Sequence, residues 1–517
     1  MSDTRRLKEQ YREKHPGFES YLECMTRAFL AGLSGFTLGF ASVYFTQKLV
    51  QKRFPYPLNW HSNPQTPLRD YDTLANTAMH VVTYKILNEQ SVLLIQPYIK
   101  WGPRKSAVNP QLQLEEAESL VRTLPNWKVE ISMKVSVENM EKKTLFGSGK
   151  MEEICALIKQ CRHEGRKLSC VFVSKGTLSF VQKSILEEQF QLPVMDRYSM
   201  VIQIFRLHAK TTEAKLQVAL AEIPYIWAQM RDVEMLTEAG LKKQRFFLTD
   251  EQKMMLKRRE KKIQNELTDL RARRELLRNN RRQKQFPVIA VVGYTNAGKT
   301  SLIKALTDEA SLQPRNQLFA TLDVTAHAGR LPCRLEVLYM DTVGFMSDLP
   351  TGLLECFVAT LEDALEADLI IHVQDVSHKN WLEQRNHVET TLAALIRNNT
   401  KQTDHIMENV INIGNKIDMV PEAERKFKEL QTISSTTMAG LNDLLLEVEQ
   451  KLLTSTDRMP MTMRVPNGGE EMQWLYKNAA VSDSEADEED SQMLLLHVVI
   501  SKAKFQQFKH RFVNGRK

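Results

Sequence analysis

Residues Gly293 to Thr300 constrain the fold of this chain more than any other segment. They read Gly-Tyr-Thr-Asn-Ala-Gly-Lys-Thr, follow the apolar run 288–292, and are followed by residues 301–306 with helical spacing. Two glycines let backbone N–H groups turn inward around a diphosphate, while a lysine adds positive charge and a threonine offers a hydroxyl to magnesium. The sequence therefore predicts a phosphate-binding loop between a buried strand and a helix, formed by Gly293, Tyr294, Thr295, Asn296, Ala297, Gly298, Lys299, Thr300 and Ser301.

A second motif, further along the chain, indicates which nucleotide is bound. The apolar run 410–414 leads into Asn415-Lys416-Ile417-Asp418, at the expected carboxyl end of a strand, where α/β sheets bind ligands. Guanine presents N1–H and its 2-amino group as neighbouring donors, and an ionised carboxylate such as Asp418 accepts both, whereas adenine lacks that pair. The motif predicts GTP or GDP, with Asn415 and Lys416 bracing the loop. Further predicted nucleotide-binding residues are Ser434 and Ser435.

Two segments between these motifs are predicted to be nucleotide-sensing switches. The run 335–340 leads into Asp341-Thr342-Val343-Gly344-Phe345, where Asp341 is predicted to hold magnesium through water and the Gly344 amide to sense the γ-phosphate. Upstream, segment 318–325 is the predicted first switch, with Thr321 as the second magnesium ligand and Thr325 as its rival. Such segments order around a γ-phosphate and relax after hydrolysis. The predicted metal ligands are Thr300, Thr321 and Asp341, and the predicted catalytic groups are Lys299, Thr321 and Gly344.

Phe345 occupies a position where many GTPases carry a glutamine that orients the attacking water. A phenyl ring has no group that could orient water, so intrinsic hydrolysis is predicted to be slow. Another group would then position the water, or a partner would complete the site. The alternative is that Phe345 packs in a core while the backbone and magnesium alone support catalysis.

Several further segments carry a family resemblance. Residues 341–350 and 357–363 resemble the HflX family of translational GTPases. Residues 146–150, the pair Asp196-Arg197 and residues 212–221 resemble the amino-terminal domain of that family, and residues 318–329 resemble its animal mitochondrial branch. The resemblance extends over residues from about 75 to 517.

This resemblance implies a GTPase that binds the large ribosomal subunit and its RNA. Bacterial members split ribosomes, and the mitochondrial branch is associated with large-subunit maturation and ribosome recycling, so the expected location is the mitochondrial matrix. The choice between assembly, recycling and rescue stays open. The family carries a glycine-rich loop that reaches the peptidyl transferase centre, but residues 234–246 of this chain contain a single glycine. That contact is therefore not inferred.

The basic residues are concentrated in one stretch. The chain has a formal net charge of +7, and from Glu251 to Lys284 thirteen Lys or Arg accompany five acidic residues. Apolar side chains recur there every seven residues, at 256, 263, 270 and 277. An earlier stretch also has its apolar residues on one helical face, so the two apolar faces could pack against each other. We predict two packed helices, the first kinked near Pro224, whose outward basic residues follow RNA phosphates. A solvated coiled-coil face is the alternative. The earlier face consists of Leu216, Leu220, Ile223, Trp227 and Met230.

The predicted fold class is a multidomain α/β protein. A chain of 517 residues is expected to contain several domains. Its six cysteines show neither paired metal-ligand spacing nor the density of a disulfide framework, so no metal cluster is expected. The protein is expected to be monomeric. The predicted parts are a small α/β subdomain (75–205), a basic helical hairpin (206–284), a P-loop GTPase domain (285–456) and a small α/β carboxyl-terminal module (457–517) with a solvated acidic loop at 482–490.

The amino-terminal segment 1–74 requires a separate explanation. Residues 28–47 carry no charge and are long enough to span a bilayer. Their flanks, 14–17 and 52–58, resemble a small two-span transmembrane protein family unrelated to HflX. We favour a fusion of neighbouring transcripts, because the resemblance stops near Trp60. The alternatives are a membrane-tethered signalling GTPase and, suggested by Phe345, a nucleotide-gated RNA-binding scaffold with negligible turnover; the alternative locations are membrane-associated or cytoplasmic.

Overall fold

The computed structural model describes most of residues 89–513. The candidate membrane span 28–47, the glycine-poor segment 234–246 and the motif 357–363 lie outside the described residues. No helix within the described ranges is both long and apolar enough to cross a membrane. The ranges left out between residues 89 and 513 are 103–108, 231–249, 285, 308, 310–311, 315–316, 348–366, 400–408, 423–426, 428–429, 488–489 and 491.

The first part is a parallel four-stranded sheet with helices on both faces, in the order β2-β1-β3-β4. Strand β1 is apolar along its centre because both of its faces are covered. Val92 and Leu94 belong to one core cluster, while Leu93 and Ile95 belong to another. The predicted α/β subdomain is thus present. Its elements are β1 (Gln90–Ile99), α1 (Pro110–Thr123), β2 (Trp127–Val137), α2 (Ser148–His163), β3 (Cys170–Val173), α3 (Phe180–Phe190), β4 (Val194–Asp196) and α4 (Arg197–His208).

Two long helices follow, α5 (Thr212–Met230) and α6 (Asp250–Lys284), and they pack against each other. The ion pair between Glu213 and Arg274 joins them near the start of α5. Pro224 lies inside α5. The predicted helical pair is therefore observed, with the seam occupied largely by the predicted residues. Its buried members are Ile223, Ile226, Leu256, Ile263 and Leu267.

The GTPase domain contains a six-stranded sheet in the order β10-β9-β8-β5-β7-β6, parallel except for β6. Because the central strands are parallel, their carboxyl ends meet at one edge of the sheet. Its elements are β5 (Val288–Gly293), α7 (Lys299–Thr307), β6 (Thr325–Arg330), β7 (Glu336–Asp341), β8 (Leu369–Asp375), α8 (Trp381–Asn399), β9 (Val410–Asn415), a 3₁₀ turn (Ile417–Met419), β10 (Gln431–Thr432) and α9 (Leu441–Ser455).

The carboxyl-terminal module is an antiparallel three-stranded sheet in the order β11-β13-β12. Helix residues Leu475 and Phe508 pack with Val465, Leu496 and Val498 from the strands. The elements are β11 (Arg458–Pro466), α10 (Glu470–Asn478), β12 (Ala480–Ala486), β13 (Met493–Ser501), α11 (Lys502–Phe508) and a π turn (Lys509–Val513).

The predicted acidic loop at 482–490 needs a correction, since its first half forms strand β12. Backbone pairing with β13 aligns Ser484 with Leu496, and the Ser482 hydroxyl donates to the His497 carbonyl at 3.0 Å. Asp483 and Glu485 on β12 remain exposed, because β12 is an edge strand, where charge is compatible with strand structure.

Candidate functional site

The phosphate-binding loop lies where predicted, between β5 and the first turn of α7. Asn296 and Gly298 have positive φ angles of 62° and 93°, and a Cβ atom on Gly298 would collide with the Asn415 side chain. This close approach requires glycine. The loop opens onto a pocket lined by Thr295, Asn296, Gly298, Lys299, Thr300, Ser301, Pro314, Gln317, Phe319, Ala320, Thr321, Thr342 and Gly344.

Lys299 is buried at the floor of this pocket. Its Nζ donates to the backbone carbonyls of Gly293, at 3.2 Å, and Tyr294, at 2.9 Å. Burial lowers the pKa of Lys299 to about 8, and the nearby Asp341 carboxylate opposes that shift. A phosphate group next to the ammonium would compensate for the lost hydration, so the lysine is suited to an anionic ligand.

Three side-chain oxygens, from the loop, the first switch and β7, converge beside the lysine. The Thr300 hydroxyl donates to Asp341 Oδ2 at 2.6 Å, and the Thr321 hydroxyl donates to the same oxygen at 3.0 Å. The two hydroxyls are 3.1 Å apart. The other carboxylate oxygen of Asp341, Oδ1, is buried and has no hydrogen-bond partner among the described residues. An all-oxygen set with a buried carboxylate fits the ligand preference of Mg²⁺.

Thr325, the alternative to Thr321, pairs with Asp341 across the neighbouring strands, but its hydroxyl bonds to a different side chain. Thr325 is the first residue of β6, and its hydroxyl lies 2.8 Å from His327 Nε2. His327 Nδ1 in turn lies 2.7 Å from Glu309 Oε2. The structure therefore brings the hydroxyl of Thr321, and not that of Thr325, within hydrogen-bond distance of Thr300 and Asp341.

The second switch is held against the phosphate-binding loop by backbone hydrogen bonds. The Phe345 N–H donates to the Gly293 carbonyl at 3.1 Å, and the Phe345 carbonyl accepts from Thr295 N–H at 2.8 Å. The Phe345 ring is buried in an apolar cluster. A Cβ atom on Gly344 would lie 2.7 Å from Thr295 Cα, so only glycine fits there. The switch backbone thus approaches the pocket while Phe345 contributes no polar group to it.

At the predicted base-binding motif, Asn415 joins two loops. Its Nδ2 donates to the Ala297 carbonyl at 3.0 Å, and its Oδ1 accepts from Ser435 N–H at 3.1 Å. Ser434 is buried, and its hydroxyl accepts from the amides of the turn that follows. Asp418 is exposed, and no residue in the described ranges hydrogen bonds to its carboxylate. That carboxylate is therefore available to a ligand.

Asp375 is a site residue that the sequence interpretation missed. It ends β8, its Oδ2 accepts from Lys416 Nζ at 2.6 Å, and its Oδ1 accepts from the Ser377 hydroxyl at 2.5 Å. It therefore fixes Lys416 beside the base-binding turn. The sequence did carry a signal for Asp375, because it is an acidic residue just after the largely apolar run 369–373. Asp341 was identified from the same pattern.

Replacing Asp418 with asparagine is expected to lower GDP affinity about a hundredfold, because two charge-assisted hydrogen bonds at about 1.5 kcal/mol or more each are lost. An asparagine amide offers one acceptor and one donor, which matches N1–H and O2 of xanthine. The variant should therefore gain affinity for xanthosine diphosphate. Titration with fluorescent nucleotides measures both changes, and Asp443→Asn, at an exposed position of α9, is the control. Retained guanine preference would contradict the assignment.

Comparison with known proteins gives matches to four family models. A model described as "50S ribosome-binding GTPase" matches residues 288–413. Models described as "GTP-binding GTPase N-terminal" and "GTP-binding GTPase Middle Region" match residues 111–206 and 208–281. The "TMEM141 protein family" model matches residues 4–63, which agrees with the prediction that this segment resembles a transmembrane family distinct from the GTPase.

Two curated relatives and one solved structure are among the proteins that this chain resembles. "Putative GTP-binding protein 6" of Homo sapiens is 40% identical over 430 residues, covering 82% of this chain and 81% of that protein. "GTPase HflX" of Caldanaerobacter subterraneus is 32% identical over 325 residues, covering 62% of this chain and 72% of that protein. A GDP-bound GTP-binding protein from Sulfolobus solfataricus is 20% identical with a TM-score of 0.37, over 71% of this chain and 99% of that chain.

The two relatives and the matched GTPase families are GTP-binding proteins, which agrees with the pocket beside the phosphate-binding loop. The loop at Gly293–Thr300 and the motif at Asn415–Asp418 both lie inside the region shared with the human relative, which spans 82% of the chain. With 40% and 32% identity to these relatives over most of their lengths, the chain belongs to the HflX-type family of P-loop GTPases, which bind and hydrolyse GTP.

Proposed function

We propose that this protein hydrolyses GTP on the large ribosomal subunit of mitochondria, in subunit maturation or ribosome recycling. One observation carries the proposal: a strongly basic helix precedes a GTPase domain whose family model is described as ribosome-binding. The mitochondrial location is supported by the resemblance of residues 318–329 to the animal mitochondrial branch. RNA phosphates attract such a helix through charge, and binding releases the counterions that surround the phosphates. Added salt makes that release less favourable, so the affinity falls as the salt concentration rises.

In the proposed site, Lys299 and the loop amides bind the β- and γ-phosphates, and the Gly344 amide senses the γ-phosphate. Mg²⁺ would be held by Thr300 and Thr321 and, through water, by Asp341; it would neutralise charge that develops on the phosphates. Asp418 would accept the two guanine donors, while Asn415 and Lys416 keep its turn in place. Ser435 would support the same turn through its hydrogen bond to Asn415. The Ser434 hydroxyl, which accepts from the amide of Thr436, would stabilise the neighbouring loop.

The described side chains of α6 support an RNA-binding face. The charged groups stand outside the seam that α6 forms with α5, so their charge is available to a polyanion. Among the exposed basic residues that the structure describes on α6, two have an acidic partner in an ion pair: Lys253 pairs with Asp250 at 3.2 Å, and Lys262 lies 3.9 Å from Glu266. We call this surface the basic face; its exposed members are Lys253, Lys257, Arg258, Lys261, Lys262, Arg271 and Arg273.

A charge-reversal variant tests the basic face. Replacing Lys257, Lys261 and Lys262 with glutamate is expected to weaken binding to purified mitochondrial large subunits by about ten- to a hundredfold, and to reduce the dependence of log affinity on log salt. Co-sedimentation at several salt concentrations, with a GTP analogue present, measures both quantities. Intrinsic hydrolysis should remain unchanged, because these residues lie outside the nucleotide pocket.

The matched control reverses three exposed lysines of the first domain, Lys128, Lys142 and Lys150, and so changes net charge equally. If the control loses as much affinity as the α6 variant, net charge alone explains binding and the basic face is not the interface. If the α6 variant binds like the parent protein, the proposed RNA contact is wrong.

A further inference from the structure

Tyr294 lies within the phosphate-binding loop, yet its side chain does not line the nucleotide pocket. The residue is buried, and only its backbone carbonyl contacts Lys299. The ring packs against the His387 ring in a T-shaped arrangement, with centroids 6.5 Å apart. The side chain therefore has a role other than direct phosphate binding.

The Tyr294 hydroxyl contacts the second switch directly. It accepts a hydrogen bond from Ser347 N–H at 2.9 Å and lies 3.0 Å from the Ser347 hydroxyl oxygen. Ser347 comes three residues after Gly344, which lies close against Thr295 of the loop. The carbonyl of the intervening Met346 lies 3.0 Å from His387 Nε2. This short segment is thus attached to the loop and to α8 at consecutive residues.

The same hydroxyl is anchored on the amino-terminal domain. It donates to Glu116 Oε2, on α1, at 3.2 Å. The other oxygen of Glu116 pairs with Arg197, the first residue of α4, whose side chain is only 4% exposed. A carboxylate held by a buried guanidinium is a fixed acceptor, and the charge on it favours the orientation in which the Tyr294 proton faces Glu116 over the one in which it faces the Ser347 hydroxyl oxygen.

We propose that Tyr294 is a positioning residue for GTP hydrolysis. Its hydroxyl, oriented by Glu116, holds the Ser347 amide and so keeps the Gly344 amide at the γ-phosphate side of the loop. Preorganised donors accelerate a reaction because they need no rearrangement when charge develops. The inference rests on GTP hydrolysis, the activity of the family, and is independent of the proposed ribosomal role.

The test compares two tyrosine-to-phenylalanine variants in the full chain without ribosomes. Tyr294→Phe keeps the ring and removes the hydroxyl. Tyr339→Phe is the matched control, because Tyr339 is buried on β7 and its hydroxyl has no hydrogen-bond partner in the part that the structure describes. For Tyr294→Phe we expect kcat to fall about tenfold while KM for GTP and GDP affinity stay within about twofold. Tyr339→Phe should retain the parent values.

Amide hydrogen exchange provides a readout specific to the switch. Tyr294→Phe should exchange faster than the parent protein in a peptide that contains residues 343–347, because the Ser347 amide loses its acceptor. Glu116→Gln keeps an acceptor of the same shape without charge, so it should show a smaller fall in kcat, of about threefold, and a smaller rise in exchange.

Two results would overturn the proposal. One is a Tyr294→Phe protein with parental kcat and parental exchange at residues 343–347. The other is an equal loss of stability and nucleotide affinity in both tyrosine variants, which would indicate a packing role alone. If Tyr294→Phe does not fold, Glu116→Gln decides, and parental kcat and exchange in that variant would overturn the proposal. None of these measurements depends on a ribosome.

Discussion

Replacing Lys299 with alanine is expected to lower kcat/KM for GTP hydrolysis by about 10³ or more. The Lys299 ammonium is buried, and the carbonyls of Gly293 and Tyr294 hold it at the floor of the pocket. There it would stabilise charge on the β- and γ-phosphates in the transition state. Removing one preorganised donor from such a site costs about 10² to 10³ in rate, and the lost ground-state attraction lowers nucleotide affinity as well.

Lys304→Ala is the matched control for this experiment. Lys304 lies on the same helix, α7, is exposed, and lines no part of the pocket. Both variants are compared with the parent protein by steady-state hydrolysis and by thermal unfolding. A Lys299→Ala protein that keeps its thermal stability and hydrolyses GTP within about tenfold of the parent rate would contradict the proposed role of this lysine.

The sequence predicted the elements whose signals are local. The strand-loop-helix around Gly293–Thr300 combines an apolar run, two glycines and helical spacing within twenty residues or so, and each part constrains the same structure. Helices α5 and α6 could be predicted for a similar reason, since a long apolar seam fixes both the helices and the faces that pack.

Strand β12 and helix α11 could not be predicted in the same way. The acidic composition of residues 482–486 favours a solvated loop, and only pairing with the apolar strand β13 makes this segment extended. Helix α11 packs through Phe508 against Trp474, a contact between residues far apart in the sequence, with ring centroids at 5.6 Å. In both cases tertiary context outweighs local preference.

In the nucleotide site, motifs identify residue types but not every contact. Spacing alone left Thr321 and Thr325 as rivals, and the positions of their hydroxyls relative to Asp341 distinguish them. The contact from Tyr294 to Glu116 joins residues 178 positions apart, so no motif contains it. Asp375 was missed because its partner, Lys416, comes from another strand.

The second large effect concerns dependence on a partner. Phe345 is buried and has no polar side-chain atom, so it cannot orient the attacking water. In the proposed site, the Gly344 amide and the magnesium ligands would stabilise phosphate charge but would not position the water. A group supplied by a partner can contribute about 10³ to 10⁵ in rate to phosphoryl transfer. We therefore expect slow hydrolysis by the isolated protein and a large acceleration on the large ribosomal subunit.

Single-turnover GTP hydrolysis at fixed salt, with and without purified mitochondrial large ribosomal subunits, measures whether the large subunit activates this GTPase. Small subunits, matched to the large subunits by concentration of RNA phosphate, serve as the control. We expect large subunits to raise the rate by about 10³ and small subunits to leave it near the intrinsic value. An equal rate with and without large subunits, at concentrations that saturate any binding, would contradict this expectation.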